Sequence, residues 1–239
     1  MDESPGRSAA QPSGRAADCC PADRCPADPR IARHFDEGMS QHEAAGTFPP
    51  LAATSSGLLE LLPDVGELRP TILEVGSGSG GLCVELLRRG ARLMDGVDLS
   101  PASVETARRR ADEANVGERA TFRVGDGSEV ALEPRDWVVL DRVICCYAHV
   151  ERLLANAMGA ARQRVIISVP LSTGWRSLII KTLWFLENKT NRLRGRPCPG
   201  YVHPVPLIEQ RLADAGFRRL RNARVGLWHT AVYERGTAS

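Results

Sequence analysis

Thr71-Ile-Leu-Glu-Val-Gly-Ser-Gly-Ser-Gly80-Gly81-Leu82 decides the fold of this chain. A short apolar run reaches an acid at Glu74, turns through glycines at 76, 78 and 80, and enters the apolar-periodic segment Leu82-Cys-Val-Glu-Leu-Leu87. That pattern is a strand, a tight turn and a helix. Glycine is required because a residue without Cβ turns that sharply and lets the backbone lie against a bound nucleoside. Downstream, Gly96-Val-Asp98-Leu-Ser-Pro101 closes a second apolar run with an acid. Its separation from the glycines is the one at which an acid meets ribose hydroxyls in a βαβ unit.

Gly76, Gly78 and Gly81 also satisfy G-x-G-x-x-G, which keeps a nicotinamide- or flavin-dependent oxidoreductase open as an alternative. Three features point elsewhere. Dinucleotide turns usually carry an apolar residue where Glu74 stands, and an acid there suits a cationic ligand. No arginine follows Asp98 to meet a 2′-phosphate. The next strand-like run, Thr121-Phe-Arg-Val124, ends in Gly125-Asp126-Gly127, so acids close three successive strands. An acid-rich, arginine-poor rim suits a cationic ligand better than a pyrophosphate.

The motifs Glu74-Val-Gly-Ser-Gly-Ser-Gly80, Gly96-Val-Asp98-Leu-Ser-Pro101, Gly125-Asp126 and Asp136-Trp-Val-Val-Leu-Asp141-Arg142 resemble those of the class I S-adenosylmethionine-dependent methyltransferases. The resemblance runs from about Thr71 to Leu154. It implies an α/β, Rossmann-like seven-stranded sheet, mostly parallel with a C-terminal antiparallel hairpin, and helices on both faces. It implies S-adenosyl-L-methionine as cofactor. The glycine turn, Gly76, Ser77, Gly78 and Gly80 with Glu74 behind it, would hold the methionine part and the ribose. Asp98 would bind both ribose hydroxyls, and Leu99 would pack on the adenine face. Asp126 and Gly127 would lie near the adenine amino group, and the backbone around Leu140 and Asp141 would face the methionine end.

Length and composition agree with one domain: 239 residues, 43% hydrophobic, support a single substantial core. The net charge of +2 gives no general attraction to nucleic acid or membrane, and no Asn-Pro-Pro-aromatic motif of nucleic-acid methylation follows the fourth strand. Lysine occurs only at 181 and 189. Residues 1–29 read as a disordered leader rich in Pro, Gly, Ser, Ala, Arg and Asp, without the apolar core of a secretory signal. Seven cysteines, an odd number, with no export signal, predict reduced thiols and a cytoplasmic setting. Cys19, Cys20 and Cys25 crowd together in the leader like a soft-metal or metalloid clamp, which keeps a ligand role open as an alternative, but they complete no usual zinc pattern and no metal site is assigned.

From residue 30 to 66 the pattern is helical, with Ile31, His34 and Phe35 at i, i+3, i+4, and this cap is expected to cover the cofactor site. Ser100 is a helix N-cap with Pro101 behind it. The segment after Asp141, through Cys145, Cys146, Tyr147 and His149, belongs at the carboxyl edge of the sheet, where Tyr147 and His149 are candidates to face substrate. Residues 171–206 read as a lid and loop insertion. Within it, 175–187 is apolar with tryptophans near both ends, too short and too charged to span a bilayer. It suits packing on the sheet, closure over a hydrophobic substrate, or peripheral contact with a membrane surface. Residues 188–206 read as a long loop in which His203 is the leading candidate general base. A helix over 207–215 and two strands, 217–225 and 227–234, complete the pattern.

Asp141-Arg-Val-Ile-Cys-Cys-Tyr147, Tyr201-Val-His203-Pro204 and the N-terminal cysteines together resemble a bacterial set of methyltransferases related at a distance to the magnesium-protoporphyrin O-methyltransferases. The expected activity is transfer of a methyl group from S-adenosylmethionine to a small, hydrophobic acceptor. A non-catalytic nucleotide-binding module is the further alternative. The motifs specify neither acceptor atom nor oligomeric state.

Overall fold

The computed structural model describes residues 29–193 and 200–236, so the expectations for the leader and its three cysteines, and for Cys198, lie outside the described residues. The helices are α1 (Pro29–Ala44), α2 (Ala53–Leu61), α3 (Val65–Leu68), α4 (Gly81–Arg88), α5 (Pro101–Glu113), α6 (Glu151–Ala160), α7 (Trp175–Leu193) and α8 (Val205–Asp214). Seven strands, β1 (Thr71–Val75), β2 (Leu93–Asp98), β3 (Ala120–Val124), β4 (Arg135–Asp141), β5 (Ala161–Pro170), β6 (Phe217–Val225) and β7 (Trp228–Arg235), form one sheet in the order β3-β2-β1-β4-β5-β7-β6. The first five are parallel, and β7 runs antiparallel to both β5 and β6. This is the Rossmann-like sheet with a terminal hairpin that the motifs predict.

Side-chain alternation divides the core between the two faces of the sheet. Leu73, Val138, Leu140, Val165, Ile167 and Tyr233 join the cluster covered by α6 and α8. Their neighbours in sequence, Ile72, Trp137, Val139, Ile166 and Val232, join the cluster covered by α2, α4 and α5. Strands buried on both faces read as continuous apolar runs, which is why β4 and β5 show no polar alternation. Burial of each such Leu or Ile contributes about 1.5–3 kcal/mol. Strand order reverses between β1 and β4, and the crevice beyond their carboxyl ends is where open α/β sheets bind ligands.

One expectation is corrected. The loop predicted from residue 188 is helix as far as Leu193. Ser177, Ile180, Trp184 and Asn188 are spaced along one face of α7, so Asn188 continues the inner seam of the helix. Its amide makes two hydrogen bonds with the backbone of Gly200, donating to the carbonyl at 3.1 Å and accepting from the N–H at 3.0 Å. The final helix also begins earlier than predicted, at Val205, because Pro206 falls in its first turn, where a missing N–H costs nothing.

Candidate active site

The glycine turn is clipped beneath the end of β2. The N–H groups of Gly76 and Ser77 both donate to the Val97 carbonyl, at 2.7 and 3.1 Å. Gly76, Gly78 and Gly80 all have positive φ, at 75°, 51° and 72°. They nevertheless serve different ends. A Cβ on Gly76 would meet Val143 at 2.8 Å, and one on Gly80 would meet Ala107 of α5 at 2.9 Å, whereas nothing lies within 4 Å of that position on Gly78. Gly80 therefore permits close packing of α4 against α5, and Gly78 leaves open space where the turn borders the cleft. The Ser77 hydroxyl is turned back toward Gly96 and is buried without a hydrogen-bond partner.

Asp98 is fixed by its neighbours in the backbone. Its Oδ2 accepts from the Gly78 N–H at 2.8 Å and its Oδ1 from the Ser100 N–H at 2.9 Å. Burial pushes its pKa up, and these two bonds oppose the shift. Each carboxylate oxygen keeps a second lone pair, enough to accept from a diol. Asp36 of α1 adds an acid at the start of α5: its Oδ1 accepts from the Ser100 hydroxyl at 2.5 Å and the Ala102 N–H at 3.2 Å. Negative charge at a helix N-terminus is favourable, so this contact anchors α1 above the site.

Asp126 lies just past β3. Its Oδ1 accepts from the Tyr147 hydroxyl at 2.7 Å, from the Ser128 N–H at 2.8 Å and from the Ser128 hydroxyl at 2.7 Å. Burial, together with the adjacent carboxylate, raises the Tyr147 pKa far above the ordinary phenol range, so the phenol stays protonated and donates. His203 stands behind it, Nε2 2.8 Å from the Tyr147 carbonyl, and burial lowers its pKa, which favours the neutral imidazole. Asp141 closes β4 and accepts hydrogen bonds from the hydroxyls of Ser55 and Ser168. Arg142 then adopts a left-handed conformation, φ 59°, held by its N–H donating to the Ser168 hydroxyl at 2.9 Å. Such a conformation in a residue with Cβ costs about 1–2 kcal/mol and is concentrated at functional sites.

Glu74 points away from the cleft toward α4, where its Oε2 accepts from the Cys83 thiol at 2.9 Å. Burial pushes its carboxyl up to about 8, with Asp141 and Asp98 adding to the shift and the Cys83 bond opposing it. Between the ordinary value of 4.5 and about 8 the unfolded chain has lost this proton and the folded one keeps it. Its contribution to stability is therefore full below pH 4.5 and is lost as pH rises to about 8. Glu74→Gln should remove that slope, leaving the variant on the order of 5 kcal/mol more stable relative to wild type at the top of the window than at the bottom. Urea unfolding at both ends checks this, and parallel pH profiles for the two proteins would contradict it.

A cleft of about 330 Å³ opens over these groups. Of the residues singled out from sequence, Gly76, Gly78, Asp98, Leu99, Gly127, Asp141 and Tyr147 line it. Glu74, Ser77, Gly80, Asp126, His149 and His203 are not among its lining residues. Gly81, the third glycine of the dinucleotide pattern, instead meets the Arg110 guanidinium, 3.0 Å from the position of a Cβ. Gly125, His34, Phe35, Trp184, Glu187 and Trp228 also contribute to the wall; the first five belong to the motif, cap and lid segment read from sequence, and Trp228 is the one without such a signal. The cap expected to cover the cofactor site reaches the cleft through Ile31, His34 and Phe35. Trp184 and Trp228, 44 residues apart, meet edge to face with ring centroids 6.3 Å apart.

Residues 72–165 match the family described as a methyltransferase domain. That segment is therefore a methyltransferase domain, and the seven-stranded sheet around it is similar to that of the class I S-adenosylmethionine-dependent methyltransferases. Its fold is similar to that of magnesium protoporphyrin IX methyltransferase from Synechocystis with bound SAH, at a TM-score of 0.68 and 18% identity, covering 86% of this chain and 98% of that one. It is also similar to an O-methyltransferase family 2 protein from Planctomyces limnophilus in complex with apigenin, at a TM-score of 0.65 and 18% identity, covering 87% and 62%. A third similarity is to the pyocyanin biosynthetic protein PhzM, at a TM-score of 0.59 and 24% identity, covering 77% and 54%. The cofactor of the class, S-adenosylmethionine, fits the residues present. Open space at Gly78, the doubly held Asp98 carboxylate and the Asp126–Tyr147 pair lie along one strand-end edge. A Cβ on Gly127 would clash with Val75 at 2.3 Å, so the backbone forms that part of the cleft.

Proposed function

We propose that the protein methylates a small, hydrophobic acceptor held against the aromatic wall of the cleft. The observation that carries this reading is the composition of that wall beyond the glycine turn: Ile31, Phe35, Val143, Trp184 and Trp228, with few polar groups. Concave sites of this kind take flat or branched apolar ligands and use isolated polar groups to orient them. Bound S-adenosylmethionine supplies a methyl group already activated on a sulfonium. The chain's own task is alignment and exclusion of water, to which proximity alone contributes several orders of magnitude.

In this reading Gly76 and Gly78 admit the methionine part and Asp98 binds the ribose hydroxyls. Asp126 receives the adenine end, with Tyr147 as the donor that fixes its carboxylate. His34 takes a proton from an acceptor hydroxyl, because it is the imidazole that lines the cleft. His203 holds the Tyr147 segment through its carbonyl, and His149 lies in the same segment, outside the lining. The test is a panel of phenols, quinols and other apolar acceptors incubated with methyl-labelled donor. On the acceptor so found, His34→Gln should lower kcat about 100-fold with KM little changed. An unchanged kcat would show that the proton leaves by another route.

A further inference from the structure

We infer that α7 docks on an anionic lipid surface and places the mouth of the cleft against it. The helix has two different faces. Ser177, Ile180, Trp184 and Asn188 form its inner seam, tied to Trp228 and to Gly200. Its outer face exposes Trp175 at 67%, Leu178 at 65%, Phe185 at 66%, Leu183 at 54% and Leu186 at 52%. Nothing among the described residues covers them. Six large apolar side chains on one helix, with Ile179 at 41%, are far more than the scattered exposed leucines of an ordinary surface.

Charge selects the partner. Arg176, stacked on the Trp175 ring at 5.1 Å, and the exposed Lys181 and Lys189 accompany this apolar face; the Lys181 ammonium also donates to the Ser172 carbonyl at 3.2 Å, and the one acid of the helix, the exposed Glu187, borders the cleft. Both lysines of the whole chain are on α7, in a sequence that uses arginine everywhere else. A lysine stem lies along apolar surface while its ammonium reaches the headgroup layer, and a tryptophan at the helix start suits the interface. Apolar residues accompanied by three cations against one acid match an anionic bilayer surface, where each cation near the surface adds about 1 kcal/mol. No helix among the described residues is long and apolar enough to cross a membrane, so the contact lies in the surface plane.

Trp184 and Glu187 reach the cleft from the same helix whose outer side meets lipid. A hydrophobic acceptor dissolved in the bilayer would then enter without crossing water. This last step rests on the proposed hydrophobic acceptor, whereas the docking itself does not.

The test uses the full chain and sedimentation with vesicles of phosphatidylcholine alone or phosphatidylcholine mixed with phosphatidylglycerol. Binding is expected to the mixed vesicles, with a blue shift of tryptophan emission. Lys181→Gln with Lys189→Gln should weaken it about 30-fold. Leu178→Ser with Phe185→Ser should weaken it by more than tenfold. All variants should keep wild-type affinity for S-adenosylhomocysteine, which separates failure of docking from failure of the methyltransferase site. Absence of binding to anionic vesicles overturns the proposal. So does binding indifferent to the variants, or a dimer in solution that the serine pair dissociates, since the face would then cover a second copy of the chain.

Discussion

Asp98→Ala will bind S-adenosylhomocysteine at least about 100-fold more weakly than wild type. The carboxylate is oriented before any ligand arrives, with one oxygen on the Gly78 N–H and the other on the Ser100 N–H. A diol donating to the remaining lone pairs makes two charge-assisted hydrogen bonds, each contributing about 1.5–3 kcal/mol. Alanine removes both and also leaves the two backbone donors without their acceptor. That second effect should lower stability by about 2 kcal/mol, leaving a folded protein with a slightly lower melting temperature. Asp98→Asn separates the two effects, because the amide keeps the shape and one acceptor oxygen while losing the charge. Calorimetric titration of both variants beside a thermal melt is the check. Near-wild-type affinity in a folded Asp98→Ala protein would show that the ribose is bound elsewhere.

The glycine turn should divide into a structural and a ligand-facing position. Gly76→Ala places a Cβ 2.8 Å from both Cβ and Cγ2 of Val143, in a backbone conformation at φ 75° that disfavours any side chain. Destabilisation of about 2–4 kcal/mol is expected, read as a fall in melting temperature of roughly 5–15 °C. Gly78→Ala meets nothing within 4 Å and bears only the conformational cost of φ 51°. It should lose about 1 kcal/mol of stability yet weaken cofactor binding more than tenfold, because the methyl group stands in the space that the cofactor needs. Equal effects of the two substitutions on stability would contradict this division.

The sheet was legible because its signals are local. A strand that ends in glycines, a helix that starts after them and an acid at the next strand end all lie within thirty residues. Asp98, Gly76 and Gly78 follow from that arithmetic. What escaped was whatever depends on chain segments far apart. Asp36 caps α5 from 64 residues away in sequence, and nothing in the helical periodicity of α1 distinguishes a capping acid from a solvated one. The cap of His34 and Phe35 over the site was legible, but periodicity alone does not give the imidazole its place in the cleft wall. Trp184 and Trp228 become a wall only because β7 inserts beside β5 and brings its first residue to α7. Glu74 shows the opposite limit: its position in the motif was recognised, but strand alternation turns its side chain toward α4, away from the cleft. The extension of α7 past Asn188 was hidden because Asn188, whose amide bonds Gly200, ends the apolar pattern.

The cofactor that the cleft accepts separates a methyltransferase from an oxidoreductase. Titrating the wild-type protein with S-adenosylhomocysteine and, separately, with NADH is the measurement that decides it. Saturable micromolar binding of S-adenosylhomocysteine to one site, with no heat from NADH, is the predicted result. Binding of NADH in its place, or of neither, would contradict the assignment and leave the glycine turn as a packing device of an α/β domain.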